Sequence, residues 1–249
     1  MIQTTMIPIT MIRTMTKSNA RSQHAYSFRH EYKHRINPLD DYELSNRLQK
    51  LFRRDAHAGS RGYYRVSSLY FDTPNDLALR EKMDGVKTRE KFRIRYYNDN
   101  INFFKLEKKM KQNQLTRKLS TTLTTKEVEA ILQQNIRFLR DSNDPLKVEF
   151  YAKLINQQLR PKTIVVYDRE AFIYEPGNCR ITLDRNLKTA IGVSNFLNPQ
   201  KLYYDISEDF SILEIKYDQF LPDLVKMATQ LQNRQAAAFS KYAVSRYHD

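Results

Sequence analysis

The sequence predicts an α+β domain rich in antiparallel strands with packed flanking helices, and three observations predict it. Apolar residues alternate with charged ones over several short runs, the period-two pattern of strands with one buried face. Between those runs lie segments with apolar residues at helical spacing and recognisable caps. The alternating runs also share a property: lysine and arginine dominate their polar faces.

Composition sets the outer bounds. The chain has 249 residues, 41% of them hydrophobic, enough for one substantial core. Its formal net charge of +14 points to polyanionic partners: nucleic acid, an anionic membrane surface or phosphate-rich molecules. Cys179 is the only cysteine, which excludes an intrachain disulfide and a cysteine-built metal site. A reducing, cytoplasmic setting is the expectation. No apolar run approaches the roughly 20 residues needed to span a bilayer, so no membrane segment is expected. The five glycines assemble neither G-x-G-x-x-G nor a Walker A pattern. Any phosphate is therefore held by side chains.

Residues 1–25, rich in Thr and Met, lack a basic stretch ahead of an apolar one and predict a disordered leader. The folded domain is expected over residues 26–249, with no internal repeat and no second domain. Phe28 to Ile36 reads as a strand with Glu31, Lys33 and Arg35 on one face. Asn37-Pro38 then gives an N-cap and a first-turn proline, followed by Leu44, Leu48, Leu51 and Phe52 at helical spacing. Val66 to Asp72 is an apolar strand, and the segment from Thr73 to Gly85 is short helix or loop. Thr124 and Glu127 form a capping box ahead of Val128, Ile131 and Leu132. Asp144-Pro145 starts a helix with Leu146, Phe150, Leu154 and Leu159 facing the core, stopped by Arg160-Pro161. Strands return at Thr163–Ile173, at Arg180–Arg185 and at Ser211–Tyr217. A single C-terminal helix is expected from about Pro222 to Arg246, carrying Lys241.

The most informative stretch runs from Arg89 to Lys118. Alternation places Arg89, Lys91, Arg93 and Arg95 on one face, with Phe92, Ile94 and Tyr96 on the other. After an Asn98-Asp99-Asn100 turn, Lys105, Glu107, Lys109 and Lys111 share a face opposite Phe104, Leu106 and Met110. A solvated outer surface would explain a single such strand. Two adjacent ones place like charges opposite each other, which destabilises a sheet unless an anion compensates. The charged faces suit either an open sheet with cations outward or a closed barrel with cations inward, and alternation fits both.

Several motifs, taken in order, carry a family resemblance. Glu31-x-Lys33, Ser68-Leu69-Tyr70-Phe71-Asp72-Thr73-Pro74, Lys91-Phe92-Arg93-Ile94-Arg95-Tyr96-Tyr97 and Leu106-Glu107-Lys108-Lys109 resemble the VTC domain. So do Tyr167-Asp168-Arg169, Leu213-Glu214-Ile215-Lys216 and Ser240-Lys241-Tyr242. This is the polyphosphate polymerase domain of vacuolar transporter chaperone proteins, in the triphosphate tunnel (CYTH-like) superfamily, and the resemblance covers residues 26–247. It implies an antiparallel β-barrel, a metal (Mn²⁺ or Mg²⁺) and transfer of the ATP γ-phosphate to a growing polyphosphate chain. Carried over, the phosphate-binding residues are Lys33, Arg93, Arg95, Lys109, Lys118, Arg169 and Arg180. Arg93, Arg95, Lys109 and Lys241 are the expected catalytic residues, and Glu214 the metal ligand. Arg117 competes with Lys118, and Arg185 with Arg180. Fungal relatives attach this domain to membrane segments; translocation is not implied here.

The residues themselves leave room for other uses. Glu214 could simply pair with neighbouring lysines, Lys241 could be solvated, and Tyr70, Phe71 and Tyr96 suit a core. His30 and His34 share a strand face but complete no metal pattern. ATP and polyphosphate are the expected partners, with nucleic acid not expected. The same tunnel could instead serve a tripolyphosphatase or nucleoside triphosphatase, and charge alone would also fit a non-catalytic polyanion-binding module.

Overall fold

The computed structural model describes residues 28–198, 200–207, 209–231, 235–236 and 239–247. The expected leader, residues 1–25, lies outside them. β1 (Arg29–Ile36) leads into α1 (Pro38–Leu51), whose cap Asn37 accepts a hydrogen bond from the Asp40 N–H. β2 (Arg53–Arg54) and β3 (Tyr64–Asp72) precede α2 (Leu77–Met83). A meander follows: β4 (Thr88–Tyr97), β5 (Asn100–Gln112) and β6 (Leu115–Leu123). Asn98 and Asp99 both take positive φ, 51° and 59°, as a two-residue hairpin turn that follows the strand twist requires. Next come α3 (Thr125–Leu132), α4 (Arg137–Arg140) and α5 (Pro145–Asn156). The Thr124–Glu127 capping box opens α3. The chain then runs through β7 (Arg160–Tyr174), β8 (Cys179–Ala190), β9 (Tyr203–Asp205) and β10 (Ser211–Tyr217). It finishes with α6 (Asp223–Ala228), β11 (Gln235–Ala236) and α7 (Lys241–Arg246).

Eight of these strands close on themselves in the order β7-β3-β4-β5-β6-β1-β10-β8, with β8 pairing back onto β7. Every junction is antiparallel, and the narrowest is β1–β6, which pairs only Arg29 with Thr116 and His30 with Leu115. Closure removes the open edges that eight long strands would otherwise expose. The architecture is an α+β tunnel fold.

Its hydrophobic core lies mostly outside the barrel wall. Phe92, Ile94, Tyr96, Phe104 and Leu106 face outward from β4 and β5 and meet Val128, Ile131, Leu146 and Phe150 of the helices. On the far side, Ile181, Leu183, Leu213 and Ile215 pack under Leu44, Leu48 and Val225. Burying each such side chain contributes about 1.5–3 kcal/mol, so both clusters hold the wall in its curve. With the apolar faces committed outward, strand alternation forces the charged faces inward.

Two expected elements differ. The helix ending at Arg160 stops at Asn156, because Gln158 adopts φ 53°, and Leu159 is buried from the loop. The single C-terminal helix is instead divided: α6 ends at Ala228, capped by Thr229, whose hydroxyl donates to the Val225 carbonyl, β11 adds to β1, and Ser240 caps a new helix. That division lets α7 approach the barrel at its own angle and deliver Lys241.

Candidate active site

The barrel encloses a cavity of about 450 Å³ whose lining carries fifteen lysines and arginines against three glutamates. Lys33, Arg93, Arg95, Lys109, Lys118, Arg169, Arg180, Glu214 and Lys241 all reach it. Eight come from barrel strands other than β3, Arg180 as the second residue of β8, and Lys241 opens α7. Lys118 lies on the lumen-facing parity of β6 opposite Lys109, and Arg117 also lines the cavity. Arg185 points the other way, to Asp41 and Glu170 beneath α1, so Arg180 is the one in the bore. Tyr70, which the sequence suits to a core, stands in the cavity wall, whereas Phe71 and Tyr96 are buried outside it.

Three acidic centres organise the cations. Glu107, fully buried, accepts from Arg93 Nε at 2.8 Å and from Lys118 Nζ at 2.8 Å, with Arg95 at 3.8 Å. Glu31 takes Lys109 at 2.7 Å and Lys33 at 2.9 Å, while Glu214 pairs with Lys216 and lies 3.8 Å from Lys33 and 3.9 Å from Arg169. Asp184 receives both Arg169, at 2.6 and 2.8 Å, and Lys241, at 2.6 Å. Arg180 is held at the far end by Asp55 and the Tyr64 hydroxyl. Acid in the right places thus lets a dense cation array fold without a ligand.

The surplus of positive charge shows in the titration of the wall. Burial raises the Glu107 carboxyl, but Arg93, Arg95 and Lys118 outweigh it and hold it well below the carboxylate range. Burial likewise raises Asp184, and Arg169 with Lys241 bring it down to about 2. Lys109 is pushed down to about 8, first by burial and then, against Glu31, by Lys33. Tyr70 is depressed to about 7: burial acts upward, and Arg93, Lys91 and Arg95 overcome it.

Tyr242 of α7 lines the bore against Tyr70, ring centroids 5.3 Å apart, and joins Val66, Tyr167 and Leu187 in an apolar cluster. Its hydroxyl donates to Asp72 Oδ2 at 2.6 Å, and Arg246 pairs with Asp76 at 2.7 Å. Those bonds fix α7 so that Lys241, 7% exposed, sits among the lumen charges.

The expected metal has oxygen donors to meet it. Glu31 and Glu214 line the same bore, and against the upward effect of burial the surrounding lysines hold both carboxyls well below the usual carboxylate range, so both would be ionised oxygen donors of the kind a hard divalent cation takes. No group of three His, Cys, Asp or Glu able to hold a metal exists among the described residues, so the protein alone builds no closed site. His30 stacks on Tyr217 at 4.8 Å instead.

Sequence reasoning missed the counter-ions. Glu107 and Glu31 stand alone among cations on their strand faces, and that lone acid in a basic row is the signal that marks them; Asp184, beside Arg180 and Thr182 on its face, carries no such signal.

Fold and site together define a cation-lined tunnel protein suited to phosphate chains. The VTC domain profile matches residues 28–247, and the chain belongs to that family of polyphosphate-related tunnel enzymes. Similar solved structures include a Bacillus halodurans protein described as a candidate adenylate cyclase (15% identity, TM-score 0.44, covering 82% of this chain and 87% of that one). Another is a Pyrococcus horikoshii protein (13% identity, TM-score 0.44, covering 88% of this chain and 100% of that one). No curated protein sequence matches the chain. Among the described residues no helix is long and apolar enough to cross a membrane.

Proposed function

We propose that the protein is a polyphosphate polymerase, transferring the γ-phosphate of ATP to the end of a polyphosphate chain within the bore. The observation that carries the reading is the convergence of Arg93, Arg95, Lys109, Arg169 and Lys241 on one enclosed cavity with a large surplus of positive charge. Phosphoryl transfer asks mainly for positioning and for neutralisation of the phosphate oxygens. Arg93, Arg95 and Arg169 are suited to grip oxygens bidentately, and Lys109 and Lys241 to add point charges. At about 4 Å and an effective dielectric near 20, each cation–phosphate pair is worth roughly 4 kcal/mol before desolvation.

A terminal phosphate acceptor is already deprotonated at neutral pH, so no general base is needed. Lys241, released from Asp184 when phosphate competes for it, is placed to neutralise charge developing on the transferred group. Bound to Glu214 and Glu31, Mg²⁺ or Mn²⁺ would supply Lewis-acid polarisation of phosphate oxygens. The protein is expected to convert ATP and Mn²⁺ into ADP and a polyphosphate ladder on a gel. Orthophosphate without polymer would identify a hydrolase instead; neither product would refute the reading. Glu214→Gln should keep the fold and lose metal-dependent turnover.

A further inference from the structure

One buried hydroxyl in the barrel wall is idle in the ligand-free protein. Thr182 of β8 is 2% exposed, and among the described residues its Oγ1 has no hydrogen-bond partner. Buried hydroxyls are normally satisfied, and leaving one without a partner is costly. Thr189, on the same strand, shows the usual pattern: its hydroxyl bonds the Thr163 hydroxyl at 3.1 Å and the Ile164 carbonyl at 3.1 Å. Ser68 of β3 likewise accepts from Arg95 Nε at 2.9 Å.

Register fixes what surrounds Thr182. Along β8 it shares the inward face with Arg180 and Asp184. Asp55 and Tyr64 occupy Arg180, and Arg169 with Lys241 occupy Asp184. Across to β7 it meets Ala171, which has no polar side-chain atom. Across to β10 it lies directly opposite Glu214. Opposed residues of an antiparallel pair keep their Cβ atoms about 4.5–5.5 Å apart, so rotation about χ1 brings a threonine hydroxyl to a facing carboxylate.

Glu214 is loosely held by the wall. Its Oε1 pairs with Lys216, two residues along the same strand. Its Oε2 lies 3.8 Å from Lys33 and 3.9 Å from Arg169, too far for hydrogen bonds. Lys216 also reaches within 4.0 Å of Glu31, so one ammonium serves both carboxylates in the ligand-free bore. A divalent cation taken by Glu214 competes with that ammonium for the same oxygens. Carboxylates that ligate metals are in turn oriented by hydrogen bonds from neighbours. A neutral hydroxyl can orient the carboxylate without adding a rival charge.

We propose that Thr182 is a positioning residue for the metal ligand: its hydroxyl donates to the Glu214 carboxylate when a divalent cation is bound there. The inference rests on reading Glu214 as the metal ligand and adds the residue that orients it.

Manganese alone is the probe, and its binding is read from the paramagnetic resonance signal of the free ion, for the unaltered protein and for T182V, T182S and E214Q. Valine keeps the shape of the side chain and removes only the hydroxyl. Losing a hydrogen bond that orients a metal ligand lowers affinity about 10–100-fold, so T182V should bind Mn²⁺ at least about 10-fold more weakly, and T182S within about 3-fold of the unaltered protein. Without metal, T182V should bind tripolyphosphate unchanged and melt no lower, since the hydroxyl has no partner to lose. T182A, expected to show the same loss of Mn²⁺ affinity, covers a failure of T182V to fold. Equal Mn²⁺ affinity in T182V and the unaltered protein would overturn the proposal. So would a loss in T182S as large as in T182V, which would assign the effect to side-chain shape. A lower metal-free Tm for T182V with Mn²⁺ affinity intact would assign the hydroxyl to the fold. An unaltered protein that binds Mn²⁺ no better than E214Q refutes Glu214 as the ligand, whereas binding that needs Glu214 and ignores Thr182 refutes the positioning role alone.

Discussion

Replacing Glu107 by glutamine tests whether acid centres hold the empty bore together. The change is nearly isosteric, so packing is preserved while one fully buried charge is removed. Arg93, Arg95 and Lys118 then face each other without their shared acceptor. Breaking a buried ionic cluster from one side costs about 3–5 kcal/mol. For a domain of this size each kcal/mol moves Tm by about 2–4 °C, so Tm should fall by about 6–20 °C. Tripolyphosphate should narrow the gap, because its oxygens enter the place the carboxylate left. A ligand at 100 times its Kd stabilises by about 2.7 kcal/mol, and it should bind the variant more tightly than the unaltered protein. The difference should also vanish in acid. Glu107 has a folded pKa well below its unfolded value near 4.3, so its stabilisation is complete above that value and disappears as pH falls through the folded one. Urea denaturation at neutral pH, with and without tripolyphosphate, reads both effects. A loss under about 1 kcal/mol, or a gap that tripolyphosphate leaves unchanged, would refute the reasoning.

Two further outcomes follow from the same charges. Burial, with Lys109, Lys33 and Arg93, brings Lys91 down to about 7 despite Tyr70. Between that value and its unfolded pKa near 10.4 the unfolded chain binds more protons, so the penalty is greatest below about pH 7 and eases as pH rises. Lys91→Met should therefore raise the Tm of the ligand-free protein at about pH 6.5, do so less at about pH 10, and weaken tripolyphosphate binding about 10-fold; an unaltered melting curve would contradict this. Tyr242→Phe removes a hydrogen bond to buried Asp72 worth about 1.5–3 kcal/mol. If Tyr242 positions Lys241, kcat should fall severalfold with KM little changed, and an unaltered kcat alongside reduced stability would assign Tyr242 to the fold alone.

The hairpin from Arg89 to Lys118 shows how far local pattern reaches. Alternation of Phe92, Ile94 and Tyr96 with Lys91, Arg93 and Arg95 is a property of the strand itself, and the structure keeps it residue for residue. The caps at Asn37 and Thr124 are equally local and stand where their hydrogen bonds require. Parity also separates Arg180 from Arg185, five residues apart on one strand and so on opposite faces. The break between α6 and α7 was not legible in the same way, since residues around Gln235 pair with β1, some 200 positions earlier. Nor was the role of Glu107, because only cross-strand register sets it against Arg93 and Ser120 and brings Lys118 within reach.

The sequence by itself determined which side chains share a face, because a strand's two-residue period needs no partner. It also determined the excess of positive charge and the order of motifs that resemble the VTC domain. Only the tertiary structure decided which face is concave. That choice depends on β8 pairing back to β7 and on helices burying the apolar side from without, interactions between residues far apart in the chain. Closure is what turns rows of cations into a bore, and the acids that meet them there are selected by register, which no local pattern encodes.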